Sequence, residues 1–172
     1  MTRRKSLPSP LTPQGHVTRY RARSFDDTRH DPYQSRGKYA EPTRCTQCGA
    51  VYERGRWRWG SAPETAHAGI CTACHRIRDN LPAGLLKVEG RYVSEHGAEL
   101  VRIARNEAEH EAAEHPMHRI MRIDEGDGCF EISTTDIHLP QRIGEALRRS
   151  HQGDLDVKYA SDEYSVRARW HR

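Results

Sequence analysis

The sequence predicts an α+β protein in three parts: a small cysteine-centred module, a connecting amphipathic helix and a C-terminal ββαββ unit, preceded by a basic tail. Three observations carry this. Two Cys-x-x-Cys pairs, Cys45/Cys48 and Cys71/Cys74, stand twenty-two residues apart; an apolar stripe of helical period runs from Val93 to Ala108; and alternating segments flank a second apolar stripe between Leu139 and Leu147. Hydrophobic residues, counting Tyr, make up 35% of the 172, against about 45 to 50% in an average globular chain counted with Gly rather than Tyr. That argues against one large core, and the length excludes a large multidomain enzyme.

The tail comprises residues 1–43. Residues 1–44 hold five of the nine prolines and carry a net charge of +6, whereas 45–90 carry +2 and 91–172 carry −4, so the total of +4 conceals a basic front. With no apolar period the tail has too little surface to bury against the entropy of ordering, and disorder is expected. Arg19, Arg21, Arg23, Arg29 and Arg36 alternate with Tyr20, Phe25, Tyr33 and Tyr39. Such side chains neutralise phosphates and stack on bases, although a merely solvated tail has the same composition. No stretch nears the roughly 18 apolar residues of a membrane span, and Met1-Thr-Arg-Arg-Lys5 leads into a Ser/Pro segment rather than an apolar leader. A cytoplasmic location without membrane contact is expected.

The cysteine module occupies residues 44–84. Cys45-Thr-Gln-Cys48-Gly49 and Cys71-Thr-Ala-Cys74 supply four thiolates, a closed tetrahedral set that suits one structural Zn²⁺ and leaves no open position for a catalytic water. A redox dithiol and an iron–sulfur cluster use the same residues; the first lacks its usual βαβ surroundings. Gly49 permits a tight turn, residues 50–59 read as strand, Gly turn and strand, and Cys71 opens a polar helix that ends before Leu81-Pro82. A helix N-terminus favours thiolate there. The arrangement is a zinc ribbon or treble clef.

Basic and aromatic residues surround the cysteines: Arg54, Arg56, Trp57, Arg58, Trp59, Arg76 and Arg78. Strand alternation places Arg56 and Arg58 opposite Trp57 and Trp59, so a guanidinium face stays outside to meet phosphate. The two Trp either pad a small core or stack on bases.

Residues 85–116 form a strand candidate, 85–90, followed by a helix over about 92–114. Its Glu107, Glu109, Glu111 and Glu114 read as a solvated face. His110 and His115 do not make a zinc-protease motif, because five residues put them about 140° apart around a helix.

In residues 117–172, segment 118–123, a Glu125-Gly-Asp-Gly128 turn and segment 129–134 predict a hairpin. Thr135 or Asp136 can cap a helix whose stripe is Leu139, Ile143, Ala146 and Leu147, and Gly153 ends it. Two strands follow, with Leu155, Val157 and Tyr159 inward in one, and Tyr164, Val166, Ala168 and Trp170 in the other. The expectation is one antiparallel four-stranded sheet with Lys158, Arg167, Arg169 and His171 on its open face and Arg142, Arg148 and Arg149 on the helix. Cys129 is expected to be a plain buried thiol.

Cys45-Thr-Gln-Cys48-Gly-Ala-Val-Tyr52, the Gly-Arg-Trp run, Cys71-Thr-Ala-Cys74-His-Arg-Ile-Arg-Asp79, Leu81-Pro-Ala-Gly84 and the segment from Ile132 to Trp170 resemble a family of small bacterial zinc-ribbon proteins. That family is distantly similar to the N-terminal zinc region of the large-ribosomal-subunit export adaptors of archaea and eukaryotes. The adaptors have more zinc-binding cysteines and further domains, so shuttling and export do not carry over. The resemblance implies contact with the ribosome or structured RNA. The function expected is non-enzymatic, RNA-binding and ribosome-associated, in assembly or stress, with rRNA as partner. A DNA-binding transcription regulator and a protein-binding adaptor are the alternatives.

Overall fold

The computed structural model describes residues 31–34 and 39–172. Twelve elements follow in order: β1 (Thr43–Cys45), β2 (Val51–Glu53), β3 (Arg56–Arg58), β4 (His67–Gly69), α1 (Thr72–Asp79), β5 (Gly84–Glu89), α2 (Arg91–Glu114), β6 (Ile120–Gly126), β7 (Cys129–Thr134), α3 (Leu139–His151), β8 (Asp154–Tyr159) and β9 (Val166–His171). They form two sheets, a four-stranded one ordered β3-β2-β1-β4 and a five-stranded one ordered β6-β7-β5-β9-β8.

The small sheet is organised by its turns. Arg54 and Gly55, at φ 54° and 76°, make the left-handed two-residue turn that a β2–β3 hairpin of natural twist requires. β4 runs parallel to β1, Cys45 opposite Gly69, and brings the chain to Cys71 beside the first cysteine pair. Sequence pattern did not reveal β4, since three residues of His-Ala-Gly carry no alternation.

The large sheet differs from the expected one. Residues 117–172 do not close a sheet of their own: β5 lies at its centre, antiparallel to β7 and parallel to β9. The mixed sheet therefore requires the 85–116 segment. Leu86 and Val88 of β5 are completely buried because both their neighbours are strands and helices cover their side chains. α2 and α3 pack together on one face; Leu100, Ala104, Ile132, Leu139, Ile143, Leu147 and Trp170 fill the core between them and the sheet. Each fully buried aliphatic side chain contributes about 1.5 to 3 kcal/mol. Trp170 keeps its indole N–H satisfied by the Gln152 carbonyl at 3.0 Å.

Two expectations need correction here. Tyr164 precedes β9 rather than belonging to it, and lies in the β8–β9 connection. The expected disordered tail extends too far: Asp31 and Tyr33 dock on α1. Asp31 pairs with the guanidinium of Arg76, which is 3% exposed, and Tyr33 lies over that guanidinium, 4.5 Å from ring centroid to carbon. The rest of the disorder expectation, with Arg19, Arg21 and Arg23, lies outside the described residues.

A buried guanidinium without its carboxylate is costly, on the order of 3 kcal/mol or more. Asp31→Ala is therefore expected to lower the unfolding free energy by about 3 kcal/mol, and adding Arg76→Met to recover most of it. Chemical denaturation of the single and double variants measures both; a single variant as stable as the parent would show the ion pair to be dispensable.

Candidate metal centre

The four cysteines predicted as ligands converge. Two sit on the first knuckle: Cys45 ends β1, and Cys48 follows in a turn closed by the Gly49 N–H donating to the Cys45 carbonyl at 2.9 Å. Cys71 is the N-cap of α1 and Cys74 lies in its first turn. The sulfurs of Cys45, Cys48, Cys71 and Cys74 all lie within 4.8 Å of one another, and Cys48 and Cys71 are 3.7 Å apart. A tetrahedral ion with metal–sulfur bonds of about 2.3 Å sets sulfurs about 3.8 Å apart. All four are free thiols, so the spacing is not that of a disulfide. The set could hold one metal ion.

The electrostatics explain why an ion fits. Burial alone would raise the Cys45 thiol, but the N–H groups of Cys71, Cys48 and Gln47 directed at its sulfur bring it down to about 6. Cys71 goes the other way: burial pushes it up, and the neighbouring Cys48 and Cys45 charges push further. Burial also raises Cys74. Four sulfurs this close cannot all ionise unaided, and a cation resolves the conflict.

A residue missed by sequence reasoning completes the centre. Arg119, just before β6, donates from Nη2 to Cys71 Sγ at 3.3 Å and to Cys48 Sγ at 3.4 Å, and from Nη1 to Cys74 Sγ at 3.6 Å. Its Nε–H is held by the Pro116 carbonyl at 2.6 Å, and its guanidinium lies 6.0 Å from the Trp59 ring centroid. Burial opposes its charge, but the three thiolates outweigh that and raise its pKa. Nothing local betrays it, since the nearest of the four clustered cysteines, Cys74, is 45 residues away in sequence.

The approach of Arg119 is set by a second cluster. Glu111, expected on the solvated face of α2, is instead buried, because α3 and the 115–119 connection close over it. Its Oε1 lies 2.9 Å from His118 Nδ1, and its Oε2 lies 3.1 Å from Arg142. His118 Nε2 faces Asp136 at 3.8 Å, and Asp136 accepts from the N–H groups of His138 and Leu139 at the start of α3. The residues that fix the connection thus come from both long helices.

The proposed phosphate contacts divide. Arg54, Arg56 and Arg58 are exposed on the β2–β3 hairpin, with Arg58 paired to Glu53. Arg78 is exposed and pairs with Asp79. Arg76 is a correction: it is buried by Asp31 and Tyr33, and bonds the Leu81 carbonyl at 3.2 Å. Arg142 is committed to Glu111, and Arg149 lies 3.7 Å from Glu107. Lys158, Arg167 and Arg169 do stand on the open sheet face; Lys158 pairs with Asp156 and Arg169 with Glu89. The Trp pair separates. Trp57 packs with Tyr39 and Tyr52, at 5.1 and 5.4 Å between ring centroids, while Trp59 lies beyond β3, 41% exposed, with its N–H on the Ala112 carbonyl of α2.

One metal ion per chain is expected, and Cys71→Ser should abolish its retention and unfold the 43–80 module, as elemental analysis and amide-proton NMR would record. Arg119→Lys keeps one charge but loses the fork. It should retain the fold of the large sheet and bind the ion about 10- to 100-fold more weakly, the usual effect of losing a partner to the ligands; competition with a chelator measures this. Unchanged affinity would show Arg119 to be a bystander.

No protein-family model matches the chain, and no curated protein and no solved structure matches it either.

Proposed function

We propose that this is a non-enzymatic zinc-binding protein that binds RNA, with rRNA in the ribosome as its partner and assembly or stress as its setting. An all-thiolate set favours Zn²⁺ over Mg²⁺ or Ca²⁺, which prefer oxygen, and leaves no position for substrate.

The observation that carries the RNA reading is the β2–β3 hairpin. β3 is an edge strand of its sheet, Arg56 and Arg58 stand exposed on it, and Trp59 follows directly. Among the described residues no carboxylate pairs with the guanidinium of Arg54 or Arg56, although Glu41 accepts from the backbone N–H groups of Arg54 and Gly55 at 2.7 and 3.0 Å. Guanidinium groups on a metal-stiffened hairpin lose little freedom when they meet phosphates, and an exposed indole beside them is a stacking platform. The resemblance to ribosomal export adaptors in the cysteine segment points to the same partner. A long recognition helix lined with base-reading side chains, as a DNA regulator uses, has no counterpart in α1, which is eight residues long.

Binding to rRNA should weaken as salt rises, with a slope of roughly −0.7 to −0.9 in log K against log salt per phosphate neutralised. Changing Arg56 and Arg58 together to Ala should reduce that slope by about 1.5 to 2 and lower affinity similarly for all sequences, with metal content unchanged. Filter binding and sedimentation with ribosomes test this. Salt-independent binding, or no binding to RNA or ribosomes, refutes the reading; a preference for duplex DNA transfers it to a DNA-binding role.

A further inference from the structure

A cavity of about 310 Å³ lies where the 31–33 segment, the end of α1 and the start of β5 and β9 meet. It is walled by Tyr33, Arg76, Leu81, Pro82, Tyr164 and Arg167. Its size is at the small end of ligand sites, right for one compact group. Arg76 forms its base between two phenol rings, 4.5 Å from the centroid of Tyr33 and 5.7 Å from that of Tyr164. One carboxylate and one carbonyl hold the two Nη groups, yet the buried Nε–H of Arg76 has no partner among the described residues. That is an unmet donor at the base of a cavity whose lining also includes Glu163, Ser165 and Arg167.

Arg167 differs from its neighbours on the sheet face. Lys158, Arg169 and Arg122 each have a carboxylate partner, at 3.2 Å for Lys158–Asp156 and 2.6 Å for Arg122–Asp124. Arg167 has none among the described residues. It stands on the cavity rim beside Ser165, while Glu163, whose carboxylate accepts from the Ser165 hydroxyl at 2.7 Å, closes the other side. Burial raises the Tyr164 phenol to about 12.

We propose that this cavity is a single-nucleotide site: a splayed-out base enters beside Tyr164 with its polar edge toward Arg76, and Arg167 holds its phosphate. The pieces match the chemistry. A base offers a flat π-face for an aromatic wall, ring nitrogens or carbonyls to accept from a buried N–H, and exocyclic amines that a carboxylate such as Glu163 accepts from. A phosphate supplies the charge that Arg167 lacks. Single-stranded segments are the form of RNA whose bases can be extruded this way. The site rests on the RNA-binding reading for its source of nucleotide, and free nucleotides share the chemistry.

The test uses the full metal-loaded chain titrated with AMP, CMP, GMP, UMP and adenosine, followed by amide-proton NMR, beside a long single-stranded RNA. Saturable binding of at least one monophosphate below about 1 mM, with shifts centred on residues 81–85 and 163–167, is expected. Arg167→Ala, a change on an exposed strand position, should weaken the monophosphate about tenfold or more and leave adenosine unchanged, because only the phosphate contact goes. Tyr164→Leu keeps the apolar wall and should weaken both. Absence of saturable binding, shifts elsewhere, or equal affinities in parent and Arg167→Ala would overturn the site. If the long RNA binds while no monophosphate does, the cavity assignment falls and the RNA reading stands. If monophosphates bind but neither RNA nor ribosomes do, the site stands as one for free nucleotides and the RNA reading falls.

Discussion

The guanidinium of Arg119 against three cysteine sulfurs is the contact on which the relation between the two sheets depends. Four thiolates around a divalent ion would leave two negative charges in a largely buried place. Part of that charge is met locally, by the N–H of Cys71 on Cys45 and the N–H of Cys74 on Cys71, both at 3.4 Å. The rest is met by a cation from the other sheet. Because charge-assisted hydrogen bonds to buried anions are strong and directional, one side chain fixes both the distance and the rotation of the cysteine module against β6. Trp59 adds a second tether from the module to α2, through the Ala112 carbonyl at 2.7 Å.

Arg119 can do this only if the short segment 115–119 keeps its path. Its Nε is pinned by Pro116, and Thr135, just after β7, accepts the Arg119 backbone N–H at 3.0 Å and donates to the Met117 carbonyl at 2.6 Å. His118, one residue before, spans the buried carboxylates of Glu111 and Asp136. The cysteine cluster is thus supported from outside, sulfur to Arg119 and then to a His–carboxylate cluster that reaches the start of α3. Such outer support orients first contacts and narrows their geometry.

The parts legible in the sequence were those with a local signature. Paired cysteines announce a ligand set; α2, expected over about 92–114, runs from Arg91 to Glu114; and the stripe Leu139, Ile143, Ala146, Leu147 is buried as its period required. What escaped was long-range. β5 carries the alternation of any half-buried strand, and only the tertiary fold shows that it lies between β7 and β9. Arg119 and Glu111 look like ordinary surface charges until α3 and the cysteine module enclose them. Arg76 was misplaced for the same reason: on α1 it reads as a basic residue near a metal centre, and the Asp31 that buries it lies 45 residues earlier.

The open face of the large sheet shows how a nearly neutral chain can present a basic edge. Strand register places Arg122, Ser133, Leu85, Arg167 and Lys158 in one row across it, and two residues further along Asp124, Glu131, Lys87, Arg169 and Asp156. The third row ends on Glu89, His171 and Asp154. Charge therefore falls from positive at the Gly84 end of β5, beside the Arg76 cavity, to negative at the other. Ion pairs run down the strands between rows, Lys87 to Glu89 at 2.7 Å and Lys158 to Asp156 among them. Exposed pairs of this kind are worth about 0 to 1 kcal/mol each, so they hold the side chains in place without withdrawing them from a stronger anion. A polyanion approaching this face is drawn to the first row and repelled from the third. The orientation it would adopt lays it along the row from Lys158 past Arg167 to Arg122, across the mouth of the cavity.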